Sequence, residues 1–171
     1  EQAKQDLARE RRRYEELRQE ELIFRLVEDL KEFQKEQERV RDAVKALDEA
    51  AAGRNLTRPE RRSLKTLSAD ETKLRGRVDE RVKALEKEGS PAFGTALEGA
   101  SVDMAEIARL LEDEKRDRLV LGLCEEVIHQ LADLVAAFEE EIKRREEPQG
   151  QGQKPPEGQQ PQGGRQPLVP P

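Results

Sequence analysis

Glu126-Val127-Ile128-His129 sets a carboxylate and an imidazole three residues apart, the spacing that places both on one helix face in di-iron bundles. Such a centre needs the motif twice, and His129 is the only histidine of the chain. It also falls off the apolar stripe of its helix, so it is expected at the surface and no metal ligand is assigned. Cys124, the single cysteine, lies on that stripe, where a thiol behaves as a small hydrophobe. No histidine stands on a neighbouring layer to activate it, and alone it forms no internal disulfide. A Gly-rich phosphate loop, a paired zinc-ligand motif and a nucleophile elbow are all missing from the sequence. No enzymatic activity, cofactor or small-molecule substrate is therefore expected.

Arg54, Arg58, Arg61, Arg62 and Lys65 form the one basic concentration, beside a helix start whose free N–H groups also favour anions. It is either a solubilising loop or a contact for an anionic partner. Over the whole chain 32 basic and 38 acidic residues give a net charge of −6. The two signs alternate instead of segregating, which disfavours a nucleic-acid face. Aromatic residues make up 3% of the chain, with no Trp, too few for a ring-lined pocket or a base-stacking platform.

What must position these residues is a set of helices. With 34% hydrophobic and 41% charged residues in 171, the chain has the balance of long solvated helices with a thin apolar seam. Ile23, Leu26, Leu30, Phe33, Gln37, Val40, Val44, Leu47 and Ala51 alternate spacings of three and four, one stripe of a first helix. Upstream, Leu7, Tyr14, Leu17 and Phe24 keep a similar spacing in another phase, so the stripe slips near Leu22. At about 1.5 Å per residue this helix would reach roughly 75 Å, more than its neighbours can cover. Its overhang is thus either a solvated helix held by local ion pairs or a partner surface through Leu7, Tyr14 and Leu17, with Arg58, Arg61 and Arg62 of the basic turn as a second candidate.

Gly53 is placed to end the first helix in the left-handed conformation, and Thr57-Arg58-Pro59-Glu60 offers a capping box with Pro in the first turn of the next. A second stripe, Leu64, Leu67, Glu71, Leu74, Val78, Arg81 or Val82, and Leu85, completes an antiparallel hairpin with Phe33 near Val78 and Val44 near Leu67. Gln37 and Glu71 interrupt that seam; they either fix register or sit half-exposed on a thin bundle. Gly89-Ser90-Pro91 repeats the stop-and-start chemistry, with Ser90 as N-cap. Helix 3 follows with Phe93, Leu97, Ala100, Met104, Ile107 and Leu111, and with Ala96, Gly99 and Ala108 keeping one side small. Residues 112–117 contain no Gly or Pro, and a turn is favoured there over a continuous helix. The last stripe, Leu121, Cys124, Ile128, Leu131, Val135, Phe138 and Ile142, flanked by Val120, Val127 and Leu134, is the widest and the best candidate for a central helix.

From Pro148 on, almost nothing but Pro, Gln and Gly remains, a composition that cannot bury enough apolar surface to offset the entropy of ordering. The expected architecture is all-α: a four-helix bundle of antiparallel hairpins over 1–147 (helices about 2–52, 58–88, 91–112 and 116–147), with a long projecting first helix and a disordered tail or linker over 148–171. No run is long and apolar enough for a membrane span. The start at Glu1, without Met or a signal-like segment, suggests a processed chain or a piece of a longer one.

Leu30 to Gln37 with its paired glutamines, the Leu-Thr-Arg-Pro-Glu turn at 56–60, the Pro91-Ala92-Phe93 start followed by Met104 and Ala108-Arg109-Leu110, and the closing Gln166-Pro167-Leu168-Val169-Pro170-Pro171 together resemble modules of large coiled-coil envelope proteins of planctomycete-type bacteria. The chain departs from that pattern in lacking a Gly-Thr turn between helices 3 and 4 and in carrying Cys124 where a polar residue is usual. The resemblance implies an exported protein, in the periplasm or cell envelope, with more helical sequence after the tail. The expected role is a non-enzymatic scaffold module joining helices, by self-association or with a protein partner. The alternative is a regulatory adaptor that grips a partner helix or an anionic partner through the helix 4 face, the overhang or the basic turn at 54–65.

Overall fold

The computed structural model describes residues 2–88 and 90–147. They form four helices, α1 (Gln2–Ala51), α2 (Arg58–Lys87), α3 (Pro91–Glu112) and α4 (Arg118–Glu146), and no strand is found among them. The Pro/Gln/Gly-rich segment 148–171 and Gly89, read above as a tail and a helix stop, lie outside the described residues.

Each helix is amphipathic and buries its stripe in one continuous core, so helix formation and packing stabilise each other. α1 contributes Leu26, Leu30, Phe33, Val40 and Val44, and α2 contributes Leu64, Leu67, Leu74, Val78, Val82 and Leu85. Val82 takes the core position for which Arg81 was the other candidate; Arg81 reaches outward to Asp29 of α1 at 2.7 Å. Helices pack in a ring, α1 on α2, α2 on α3, α3 on α4 and α4 on α1, and among the described residues the backbones of diagonal helices do not approach each other closely. Cross-helix pairs run in opposite order along every neighbouring pair, for example Arg39–Asp70 with Arg77–Glu32, and Lys31–Glu139 with Arg41–Glu125, so all neighbours are antiparallel. The expected central helix is therefore absent. α4 has a wide apolar face because it fills the groove between α1 and α3, as every member of a four-helix ring must do for its own two neighbours.

The three turns are built differently. After α1, Ala52 (φ 47°) and Gly53 (φ 78°) both adopt the left-handed conformation; Gly53 was expected there, and Ala52 shares the reversal at a steric cost of about 1 kcal/mol. Thr57 and Glu60 then form the expected reciprocal box, Glu60 N–H to Thr57 Oγ1 at 3.4 Å and Thr57 N–H to Glu60 Oε2 at 2.7 Å. Between α2 and α3, Ser90 holds the N-cap position but its side chain makes no capping bond. The start of α3 relies instead on backbone bonds, Ser90 N–H to Leu85 O and Gly94 N–H to Ser90 O, with Pro91 supplying a preset φ. Between α3 and α4 the chain does turn, over Asp113–Asp117. Lys115 N–H reaches Leu110 O at 2.8 Å and Glu114 N–H reaches Leu111 O at 3.0 Å, a Schellman closure with Glu114 (φ 60°) where Gly is usual. Asp117 caps α4 through Leu119 N–H.

The small side of α3 is the expected one at Ala108 but not at the other two positions. Ala96 and Gly99 face solvent, whereas Gly94, Ala100, Ser101 and Ala108 are buried. There Ser68 Oγ of α2 donates to Ala108 O at 2.7 Å, and Ser101 Oγ donates to Asp79. These short side chains let α2 and α3 lie closely along each other, and the hydroxyls satisfy themselves across the gap.

Candidate functional site

Two regions stand out once the core is accounted for: the free end of α1 and a polar layer inside the bundle. The ends of α2 and α4 pack on α1 near Ile23 and Leu26, beside Leu85 and Ile142, and their last residues reach as far as Leu17 and Arg18, where Glu88 lies 4.0 Å from the Arg18 guanidinium. Everything from Gln2 to Glu21 is exposed. Leu7, Tyr14, Leu17 and Phe24 remain 54%, 71%, 58% and 60% accessible, a row on the solvent face of a helix that continues the bundle without a break. Phe24 was read as part of that phase but not as a site residue; its spacing of seven from Leu17 was the available signal. At the root of the overhang, Leu17, Ile23, Phe24 and Ile142 line an apolar groove of about 380 Å³ edged by Glu20, Glu21, Arg145 and Glu146.

The basic turn is largely neutralised by its own surroundings. Arg54 grips Glu60 with both terminal nitrogens, at 2.9 and 2.7 Å, and this guanidinium, helped by Thr57 N–H, holds the Glu60 carboxyl down at about 2. Arg61 lies 3.6 Å from Glu114 and Lys65 lies 4.0 Å from Glu112. Among the described residues Arg58 and Arg62 form no ion pair, and both are exposed. The structure thus separates these two from Leu7, Tyr14 and Leu17, which sit at the opposite end of α1.

Gln37 and Glu71 are not half-exposed: both are 0% accessible, and none of their four side-chain polar atoms has a hydrogen-bond partner. Burial pushes the Glu71 carboxyl up to about 8, opposed by the nearby Gln37 amide, so it is neutral at pH 7. Cys124 is buried on the adjoining face of α4; burial first, then the Glu71 carboxyl, pushes its thiol up to about 12. Three helices therefore bring an amide, a carboxylic acid and a thiol close together, all uncharged and sealed from solvent. A protonated, inaccessible thiol is no nucleophile. His129 and Glu126 are exposed, and among the described residues no group of three or more His, Cys, Asp or Glu could hold a metal. Nor is any helix among them long and apolar enough to cross a membrane.

The apolar stripe of α4 is turned into the bundle. Val120, Cys124, Val127, Ile128, Leu131, Leu134, Val135 and Phe138 are all buried, while Leu119 at its start stays 57% accessible. No family model, curated protein or solved structure matches this chain.

Proposed function

We propose that this chain is a non-enzymatic scaffold module whose bundle serves as a rigid base for the projecting end of α1, and that this end joins it to another helix. The supporting observation is the row Leu7, Tyr14, Leu17 and Phe24, left exposed on a helix rooted in a core that is complete without it. Exposed apolar rows on an otherwise charged helix mark contact surfaces. The resemblance to coiled-coil envelope proteins supports the same role and suggests the periplasm or cell envelope as its place.

The test compares the full chain with a Leu7→Glu, Leu17→Glu double variant, both bearing the same affinity handle, by light scattering when purified and by mass of the complexes formed in extract of the source cells. Association that the double substitution abolishes, with circular dichroism unchanged, is the expected result. A chain that stays monomeric in both settings would remove the proposal.

A further inference from the structure

We infer that the partner of the projecting helix is a second copy of this chain, paired with it antiparallel through residues 7–24. This rests on the reading above and narrows it to one occupant.

The charge order of the overhang carries the argument. Residues 9–13 hold four arginines and one glutamate, residues 15–21 hold four glutamates and one arginine, and Tyr14 stands between them. A parallel pair would lay the arginine block on itself. An antiparallel pair lays each arginine block along the other copy's glutamate block, and within a Debye length of about 8–10 Å that difference is felt at ordinary salt. The blocks are centred on residues 11 and 18, so they align best when the numbers of facing residues sum to 29.

The apolar row selects nearly the same alignment by itself. Leu7 and Tyr14 occupy one seam position of the seven-residue repeat, and Leu17 and Phe24 the other. Antiparallel seams mate one kind with the other, which gives Leu7 facing Phe24 and Tyr14 facing Leu17, each twice, with facing numbers summing to 31. Two independent patterns thus agree to within a single residue's shift of the two-fold centre. The alignment also sets Arg13 beside the other copy's Glu20. Glu10 and Glu21 meet as an unfavourable layer, although Arg25 of the same chain already holds Glu21 at 2.6 Å, and on the opposite flank Arg18 comes beside the other copy's Arg11, a like-charge contact set against the pairing of the blocks. Leu7 of each copy arrives at Phe24, on the rim of the apolar groove at the root of the other, and the two bundles lie at opposite ends of the pair, clear of each other.

Sedimentation equilibrium of the purified full chain reads the stoichiometry, and disulfide trapping reads the orientation. Cys124 is buried and stays in place. Chains carrying Leu7→Cys mixed with chains carrying Phe24→Cys are expected to cross-link to each other under mild oxidation. Leu7→Cys alone is expected not to cross-link, because in this register the two copies of residue 7 lie roughly 25 Å apart and a disulfide needs Cα atoms within about 7 Å. The Leu7→Glu, Leu17→Glu variant is expected to weaken the dimer at least ~100-fold, about 3 kcal/mol at 1.4 kcal/mol per tenfold, and raised salt should weaken the unsubstituted one. A monomeric chain, a dimer indifferent to the double substitution, or Leu7→Cys trapped with itself would each overturn the inference. A purified monomer that still forms overhang-dependent complexes in extract would overturn only this inference and leave the broader role standing.

Discussion

Glu71, fully buried with neither carboxyl oxygen hydrogen-bonded, ties the stability of the bundle to pH. A carboxylate buried without a donor is far costlier than a neutral acid, so the folded chain keeps the proton that the unfolded chain releases near its ordinary value. Between about 4.5 and about 8 the native state binds more protons than the unfolded one, and stability falls by up to about 1.4 kcal/mol per pH unit across that window. Below it the contribution is fully present; above it the loss is complete. Glu71→Gln keeps the shape and removes the titration. It is expected to raise the melting temperature at pH 8, to change it little at pH 4.5, and to flatten the slope between, as thermal unfolding at several pH values would show. An unchanged slope would mean that Glu71 is not what the pH dependence reports. That a glutamate stood on the seam was visible in the spacing of Leu67, Glu71 and Leu74. Its full burial was not, because whether a seam position of a thin bundle is covered depends on α3 and α4, whose approach no local pattern encodes.

At the scale of elements, the turns show which local signals a sequence displays and which it hides. Gly53, Thr57, Pro59 and Glu60 announce themselves by residue type, and the first reversal follows them. The α3–α4 turn uses Glu114 in the left-handed conformation, a place where most chains put Gly, so no residue type in 112–117 separated a turn from a continuing helix. Ser90 shows the converse: the right residue in the right place, with its hydroxyl unused. The box at Thr57 therefore matters more than the cap at Ser90. Thr57→Ala removes the acceptor for Glu60 N–H and is expected to cost about 1 kcal/mol, whereas Ser90→Ala should change stability by no more than a few tenths. Urea unfolding of the two variants side by side checks the ranking, and equal losses would contradict the capping geometry.

For the whole molecule, the question is why four such similar helices close in this order. The backbones of α1 and α2 approach each other least closely of the four neighbouring pairs, yet three ion pairs bridge them: Arg39–Asp70 at 3.1 Å, Arg77–Glu32 at 3.0 Å and Arg81–Asp29 at 2.7 Å. Arg77 also lies over the Phe33 ring, 5.1 Å from its centre. Each exposed pair is worth only about 0.2–1 kcal/mol, but reversing one side of all three turns attraction into repulsion along the whole edge. Arg39→Glu, Arg77→Glu and Arg81→Glu together are expected to destabilise the bundle by about 2–3 kcal/mol at low salt, on the scale of such pairs in double-mutant cycles. Adding Glu32→Arg, Asp29→Arg and Asp70→Arg restores complementary signs and should recover most of the loss, except the part due to the Arg77 stack. Recovery identifies the charges as what holds α2 beside α1. If the sixfold variant is no more stable than the threefold one, the ion pairs are a by-product of a pairing set elsewhere, by the short loop at residues 52–57 and the close fit of α2 on α3.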